Sequence, residues 1–273
     1  MPSLLTEARP AEPGAAARAG GPWTLVVEPE ARAGAEQMAV DEALLDAADR
    51  TGRAWLRLYR FAPPCLSLGR HESAARRYDR AAIARLGIDV VRRPTGGRAV
   101  WHEHALTYAV AAPLARFGSP RAAYRAIHAR LAAALALLGA RPTLAPARPR
   151  PAPGAPGTGI AGACFARAVG GEILVGGRKL VGSAQALRGR ALLQHGALLL
   201  AGSQDVVRAV SRAPRGPDGA TTLSAALGRA VTFREVADAI ARAWGEPLAP
   251  GPSPEPEPER TARFRDPAWT WRR

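Results

Sequence analysis

Residues 171–185 read GGEILVGGRKLVGSA, and Lys179 in this stretch is the only lysine of the chain. The sequence has 38 lysines and arginines, so the other 37 basic residues are arginine. A lysine ammonium is compact and its pKa falls readily on burial, whereas a guanidinium is planar, wide and always charged. Lys179 is therefore a candidate for a role that arginine cannot fill, against the alternative of a chance survivor in an arginine-rich composition.

The two cysteines of the chain lie in different surroundings. Cys65 belongs to the apolar run CLSLG, which is typical of a buried structural thiol. Cys164 lies among glycine and alanine in GTGIAGACFARA, fifteen residues before Lys179. A nearby ammonium lowers a thiol pKa from about 8.5 and so increases the nucleophilic thiolate. Cys164 and Lys179 are the predicted catalytic pair, and acyl transfer is the chemistry that this pair favours.

A polar, glycine-containing loop in RRPTGGRAVWHEHALTYAV (92–110) is a second candidate site. The sequence predicts that one strand ends at Arg93, and that Gly96 and Gly97 let the backbone approach a ligand closely. Two adjacent glycines between strands are more often only a turn, and a lone histidine is usually structural. This loop is nevertheless longer and more polar than a plain hairpin turn, and it carries Arg98, His102 and His104.

Other site patterns fail on their context. Gly157, Gly159 and Gly162 spell GxGxxG, but they follow a proline-rich run rather than a strand, and no acidic residue lies about twenty positions later. The sequence has no Walker loop, HExxH or GxSxG motif. The cysteines show no spacing typical of a metal site or a disulfide framework, so we predict no metal ligands.

Charge and hydropathy limit the classes of partner. The formal net charge is +15, but arginines occur in every segment and aromatic residues make up only 5% of the chain. Nucleic-acid-binding proteins cluster basic residues and interleave aromatics, so we expect no nucleic-acid partner. Attraction of an acidic macromolecule and a biased composition explain the charge equally well. With no long apolar run and no signal-peptide core, we expect no membrane insertion, and we expect a cytoplasmic protein with reduced thiols.

The chain is predicted to contain one structured domain with three disordered stretches. Composition predicts disorder over 1–22, over the proline-rich run 140–159 and over the tail 250–273. Neither flank of the middle stretch shows a complete core pattern, so we interpret it as a long loop inside a single domain of residues 23–249.

Secondary-structure patterns predict a mixture of helices and strands. Helical spacing of apolar residues covers 35–50, 73–87, 119–139 and 232–244. Strand patterns cover six segments: 54–61, 65–69, 88–93, 106–112, 172–185 and 191–200. Gly176-Gly177 predicts a β-hairpin with Lys179 just after the turn. Hairpins are too frequent for a doubly wound parallel sheet.

Together the motifs resemble the biotin/lipoate protein ligase superfamily. The resemblance rests on RRPTGGRAVWH, on GGRKLVGSAQ about eighty residues later and on LLQHGALLL, with MAVDEALL (38–45) and LSLGR (66–70) before them. It covers roughly residues 23–245. It implies the catalytic-domain fold of that superfamily, which is an α+β fold with a mixed, largely antiparallel sheet flanked by helices.

ACF shortly before the lysine hairpin is similar to the cysteine-dependent octanoyltransferases, which move octanoate from acyl carrier protein to a lipoyl domain. The resemblance implies an acyl thioester on Cys164 and stabilisation of negative charge by Lys179. It implies an acyl tunnel beside the glycine loop, with Arg98 and His102 at its mouth. The substrate-binding residues that we predict are Arg93, Thr95, Gly96, Gly97, Arg98, His102, Gly182, Ser183, Ala184, His195 and Gly196.

The same resemblance defines the alternatives and the partners. An ATP-dependent lipoate ligase would use ATP and magnesium, but such ligases generally lack the cysteine and have GGG where this chain has Gly96-Gly97-Arg98. A non-catalytic basic binding protein is the remote alternative. For the transferase we expect no cofactor, because the donor carries its own phosphopantetheine arm. The implied acceptors are lipoyl domains of the glycine-cleavage H protein or of 2-oxoacid dehydrogenase E2, and we expect a monomer.

Overall fold

A computed structural model describes residues 21–146, 165, 170–213 and 219–272. Its largest sheet has six strands, β1 (Trp23–Val27), β2 (Ala54–Tyr59), β6 (Ala105–Pro113), β10 (Val181–Arg188), β11 (Ala191–Leu199) and β12 (Leu248–Pro250). Their order across the sheet is β10-β11-β6-β2-β1-β12. The pairs from β10 to β2 are antiparallel, and β1 runs parallel to β2 and to β12.

Two three-stranded sheets carry the candidate motifs. One contains β3 (Cys65–Leu68), β4 (Asp89–Arg92) and β5 (Val100–His102). The other contains β7 (Pro142–Leu144), β8 (Ile173–Val175) and β9 (Arg178–Lys179). Gly176 and Gly177 have φ of 57° and 73°, the left-handed conformation that a two-residue turn between β8 and β9 requires. The predicted hairpin is confirmed, with Lys179 at the end of its second strand.

Helices cover both faces of the large sheet. They are α1 (Gly34–Thr51), α2 (Ala74–Arg77), α3 (Arg80–Arg85), α4 (Pro120–Leu137), α5 (Asp205–Ala209), α6 (Leu223–Leu227), α7 (Phe233–Ala243), α8 (Pro258–Arg265) and α9 (Pro267–Thr270). Apolar residues of α1 pack with one face of β6 and β11, and those of α4 and α7 pack with the other face. The α+β class is confirmed. Within the described ranges, no helix is long and apolar enough to cross a bilayer.

Two local expectations are corrected by the structure. The helix predicted over 73–87 forms as two short helices, because Tyr78 is extended and the Asp79 carboxylate accepts from the backbone of Ala81 and Ala82 to begin α3. The loop predicted over 140–159 contains strand β7 at its start, where the backbone pairs with β8. The rest of that stretch, residues 147–159, lies outside the described residues, as do residues 1–20.

The disorder predicted for residues 250–273 is wrong over the described part, 250–272. Helices α8 and α9 form there, and Phe264 is fully buried against α1. Arg260 and Arg263 both pair with Glu42 of α1. The prediction rested on composition, and the start of the tail is rich in proline and glutamate, which is typical of disorder. The end of the tail contains only a few aromatic and basic residues, but these residues bind it to the domain.

Candidate functional site

The loop between β4 and β5 folds around the side chain of Arg93. Its buried guanidinium donates to the backbone oxygens of Ser67 at 3.0 Å, Gly96 at 2.7 Å and Arg98 at 2.8 Å. One side chain thus ties strand β3 to both sides of the Gly96-Gly97 turn. A planar, five-donor group suits this fan of carbonyl acceptors.

The glycine loop lies directly on the backbone that follows β3. The amide of Arg70 donates to Thr95 O at 2.8 Å, and a Cβ placed on Gly69 would lie 1.9 Å from Gly97 O. Gly97 itself has a φ of 87°, and a Cβ there would lie 2.7 Å from Nη2 of Arg93. Glycine is therefore required at both positions. A Cβ on Gly96 would meet no atom within 4 Å, so the backbone there faces open space.

The C-terminal strap, which we define as residues 258–272, is hydrogen-bonded through Arg92 to the segment on which the glycine loop lies. Arg92, the residue before Arg93, is fully buried. Its guanidinium donates at 2.7–3.1 Å to five backbone oxygens, those of Gly69, Arg70, Glu72, Thr270 and Arg272. The indole of Trp269 donates back to Arg92 O at 2.9 Å. The strap and the segment under the glycine loop are thus joined through one side chain.

A buried chain of hydrogen bonds connects the loop to helix α1. Thr95 Oγ1 lies 2.5 Å from His195 Nε2, and His195 Nδ1 lies 2.7 Å from Asp41 Oδ2. Asp41 also accepts from Arg57 Nη1 and from the Tyr59 hydroxyl, each at 2.7 Å. Burial opposes ionisation of Asp41, but the His195 hydrogen bond and the Arg57 charge outweigh it, so the pKa of Asp41 is lowered. A buried carboxylate therefore orients the imidazole.

His102 and His104 occupy different environments. His102 is buried, with Nε2 at 2.8 Å from Ser67 Oγ and Nδ1 at 3.3 Å from Thr107 Oγ1. Burial, assisted by the Arg93 charge, lowers the pKa of His102 to about 3, so the ring is neutral. His104 is exposed beside Glu103. Only His102 of the two contributes to the pocket that follows.

A pocket opens between β3, β5, β10, β11 and α1. Seven of the predicted site residues line it: Arg93, His102, Gly182, Ser183, Ala184, His195 and Gly196. Thr95 contacts the pocket wall through His195, Gly97 lies near Ala184, and Arg98 contributes its backbone oxygen to Arg93. The sequence analysis did not identify six further lining residues: Met38, Tyr59, Ser67, Val100, Thr107 and Ala197.

Gly196 allows β10 and β11 to approach closely at this pocket. A Cβ on Gly196 would lie 2.4 Å from Gly182 O, 2.5 Å from Ser183 Oγ and 2.9 Å from the Tyr108 ring. Backbone cannot move aside as a flexible side chain does, so any larger residue would force the two strands apart.

Lys179 is buried at the end of β9, with 2% of its side chain exposed. Its Nζ lies 2.7 Å from Glu172 Oε1 and 5.1 Å from the centre of the Phe165 ring. Phe165 is fully buried in an apolar cluster with Val100 and Ala197, both of which line the pocket. Cys164 lies outside the described residues, but the residue that follows it in sequence contacts Lys179 and the pocket wall.

A directed hydrogen-bond chain lies beside Lys179. His128 Nδ1 lies 2.6 Å from Gly171 O, which only accepts, so Nδ1 carries the hydrogen. Burial lowers the pKa of His128 to about 4, so the neutral ring accepts from Ser183 Oγ through Nε2 at 2.8 Å. The Ser183 oxygen then accepts from the Tyr108 hydroxyl at 2.6 Å. His128 is thus hydrogen-bonded to Gly171 and to Ser183, which lie before and after Lys179 in the chain.

His128 and Asp41 are site residues that the sequence analysis missed. His128 lies on an otherwise apolar helix face in AIHARLAAALALL, and Asp41 lies among apolar residues in MAVDEALL, one turn after buried Gln37. A buried polar side chain needs hydrogen-bond partners, so this placement was an available signal.

Cys65 is a structural thiol in the fold. It is fully buried, and burial together with the nearby Asp89 carboxylate raises its pKa well above the ordinary value. The thiol is therefore protonated and a poor nucleophile. Across the described ranges, no group of three or more His, Cys, Asp or Glu side chains is arranged to bind a metal ion.

The profile of the lipoyl protein ligase A/B catalytic domain matches residues 33–245. The chain is 36% identical to an octanoyltransferase LipM of Symbiobacterium thermophilum over 81% of this chain and 86% of the relative. It is 31% identical to octanoyltransferase LipM of Exiguobacterium sibiricum over 86% of this chain and 94% of the relative. These matches extend across the glycine loop and the Lys179 hairpin.

Solved structures with the same fold are lipoate ligases. Lipoate-protein ligase A bound with ATP superposes with a TM-score of 0.73, covering 92% of this chain and 98% of the other, at 21% identity. The bipartite lipoate protein ligase of Thermoplasma acidophilum gives a TM-score of 0.67, covering 92% and 96%, at 20% identity. At these identities the likeness establishes the fold.

Proposed function

Because this chain belongs to the lipoyl protein ligase A/B catalytic-domain family, we propose that it transfers an octanoyl group from acyl carrier protein to a lysine of a lipoyl domain through a thioester on Cys164. Relatives named octanoyltransferase LipM, 31–36% identical over more than four fifths of the chain, support octanoyl transfer in lipoylation. The structural neighbours are ligases, but their identity of about a fifth carries the fold only.

The observation that carries the chemistry is the environment of Lys179. The only lysine of the chain is buried against Phe165, the residue that follows Cys164, and is paired with Glu172. A buried ammonium next to the cysteine segment favours the thiolate, which is the reactive form. It also supplies a positive charge where an acyl-transfer reaction develops negative charge.

In the first half-reaction the Cys164 thiolate attacks the carbonyl carbon of the donor thioester. A carbon–sulfur bond to Cys164 forms, and the bond to the phosphopantetheine sulfur breaks. The leaving thiolate takes up the proton that the Cys164 thiol gave up. The products are the octanoyl enzyme and the free carrier thiol, and no ATP is needed because the thioester is already activated.

In the second half-reaction the neutral amine of the acceptor lysine attacks the same carbonyl carbon. An amide bond forms, the bond to Cys164 breaks, and a proton from the attacking amine returns to the Cys164 sulfur. In both halves the carbonyl oxygen becomes negative in the tetrahedral intermediate, and we assign its stabilisation to the Lys179 ammonium.

The pocket between the glycine loop and β10–β11 is assigned to the acyl chain. Met38, Val100 and Ala197 give it apolar surface, and Gly182 and Gly196 expose backbone without side chains. The neutral His102 brings no positive charge to the wall, and Asp41 holds His195 in place. We place the reaction in the cytoplasm, and we expect the protein to act as a monomer.

Intact-mass analysis after incubation with octanoyl acyl carrier protein, without ATP, tests the proposal. We expect the mass of one octanoyl group on the wild type and on Cys65→Ala, but not on Cys164→Ala. Cys65→Ala is the matched control because its thiol is buried and protonated. An active Cys164→Ala variant that requires ATP and free acid would instead identify a ligase. A wild type that gains no mass here and forms no product with ATP and free acid would favour a binding protein.

A further inference from the structure

Seven arginines lie on the segments that pack beside the glycine loop, namely residue 70, helices α2 and α3, residue 212 and the strap. We call this set the arginine patch; its members are Arg70, Arg76, Arg77, Arg80, Arg85, Arg212 and Arg272. Arg272 Nη2 donates to Arg70 O at 3.1 Å, and the Arg80 guanidinium lies 4.8 Å from the centre of the Trp271 ring. The amide of Arg212 donates to Arg77 O at 2.8 Å. Helices α2 and α3, residues 211–212 and the strap therefore meet here.

The charge of the arginine patch is only partly neutralised within the part of the chain that the structure describes. None of its seven guanidinium groups lies within 4.0 Å of a carboxylate there, whereas arginines docked on α1, such as Arg188 and Arg260, pair with acidic residues. Two carboxylates are nearby. Asp79 caps α3, and the backbone of Ala82 together with the charges of Arg212 and Arg85 lowers its pKa. Buried Glu72 accepts from the Tyr78 hydroxyl, so seven guanidinium groups still outnumber the nearby carboxylates. Burial and the charges of Arg70 and Arg263 lower the pKa of Arg272, a sign of like-charge repulsion.

The patch adjoins the mouth of the catalytic pocket. The backbone of Arg70 bonds to Thr95 of the glycine loop, and Thr95 contacts His195 in the pocket wall. A macromolecule that presents an acyl group to this pocket must therefore cover part of the patch. An excess of positive charge at such a place attracts a surface rich in carboxylates and speeds its association.

We propose that the arginine patch is the docking surface for an acidic carrier domain, and that donor and acceptor domains use it in turn. The inference rests on the proposed function, because a single pocket and a covalent acyl enzyme require the two domains to visit the same carbonyl carbon one after the other. A protein surface is favoured over nucleic acid because two nearby aromatic rings, Trp271 and Trp269, are covered by Arg80 and Arg272 and offer bases no stacking platform.

The test reverses charge within the patch and compares a matched variant elsewhere. Arg76→Glu/Arg212→Glu changes two exposed patch residues, and Arg234→Glu/Arg242→Glu makes the same change of net charge on the exposed face of α7. Each variant is assayed with octanoyl acyl carrier protein and with octanoyl pantetheine, a small thioester that lacks a carrier domain.

We expect kcat/KM for octanoyl acyl carrier protein to fall about 10- to 100-fold in the patch variant and to change little in the α7 variant. Octanoyl pantetheine should acylate all three proteins equally. Enzyme acylated in that way should pass its octanoyl group to a lipoyl domain with a matching loss in the patch variant. Rising salt should slow the wild type with carrier substrates and have less effect on the patch variant.

Equal loss in the patch and α7 variants, or loss with the small thioester as well, would overturn the docking assignment. Patch-dependent binding of single-stranded DNA without patch-dependent acylation by carrier protein would also overturn it in favour of a nucleic-acid surface. Failure of both octanoyl acyl carrier protein and octanoyl pantetheine to acylate the wild type would instead reject the proposed function. The small thioester thus separates the two conclusions.

Discussion

Lys179 and Glu172 form a buried ion pair, so substitutions of one or both residues can separate an effect on catalysis from an effect on stability. Nζ and Oε1 are 2.7 Å apart, and the two side chains are 2% and 3% exposed. Lys179→Met would leave a buried carboxylate without this cation, and breaking a buried pair on one side costs about 3–5 kcal/mol. Lys179→Met/Glu172→Gln removes both charges, and neutral replacement of a whole buried pair is often tolerated. The double variant should therefore be more stable than the single one.

Lys179→Arg keeps the charge but changes its shape. The wider guanidinium must fit between Glu172 and the Phe165 ring, and overpacking of a filled site costs about 1–3 kcal/mol. Its nitrogen atoms cannot all occupy the position of the ammonium. Loss of one oxyanion donor lowers kcat by about 100- to 1000-fold, or about 2.7–4 kcal/mol of activation free energy. We expect a loss of this size in Lys179→Arg and in the double variant.

Two measurements on each variant check this reasoning. Urea unfolding gives the free energy of unfolding, and the initial rate of octanoyl transfer to a lipoyl domain gives the activity. A double variant that recovers stability while it stays inactive supports a catalytic ammonium. Near-normal transfer by Lys179→Arg would refute the role assigned to Lys179, because 37 other basic positions of this chain already accept arginine.

Two further predictions concern buried polar groups. In Arg92→Lys the ammonium supplies at most three donors to the five carbonyl oxygens that Arg92 serves. Each buried acceptor left unsatisfied costs about 1–3 kcal/mol, so urea unfolding should show a lower free energy of unfolding than for the wild type. KM for the carrier substrate should rise. His128 has its pKa lowered to about 4, so the unfolded chain binds the extra proton between about pH 6.5 and pH 4, and stability falls as the pH falls through that range. His128→Gln should reduce this pH slope by up to one proton, about 1.4 kcal/mol per pH unit, and an unchanged slope would contradict the buried neutral ring.

Local patterns predicted the elements that carry the site. Apolar spacing gave α1, α4 and α7 to within two residues, because each helix buries one continuous face. The glycine pair predicted the Lys179 hairpin, because a two-residue turn needs positive φ at both positions. The predicted superfamily and α+β fold are confirmed by the match to the lipoyl protein ligase A/B catalytic domain and by the sheet topology, and the relatives named octanoyltransferase LipM support the predicted transferase.

What escaped prediction depends on contacts between distant parts of the chain. Arg92 is bonded to residues 178 and 180 positions later, and no local pattern shows that pairing. Asp41 and His195 are 154 residues apart in sequence but share a hydrogen bond. The even spread of arginines in sequence also concealed the arginine patch, because only folding brings α2, α3 and the strap together. The assignment of Cys164 as nucleophile stays a prediction, since it lies outside the described residues.

The strap also has a consequence for how the enzyme matures during translation. At about 5–20 residues per second, the ribosome needs roughly 10–40 seconds after Arg92 to make Thr270 and Arg272. The matched family domain, residues 33–245, is complete only for the last part of that interval, about 1–5 seconds before Thr270 is made, when two of the five acceptors of Arg92 do not yet exist. A nascent or proteolytically shortened chain that ends before Thr270 therefore carries the whole matched domain while Arg92 lacks two of its acceptors. We expect such a chain to hold the segment under its glycine loop less firmly than the full chain does.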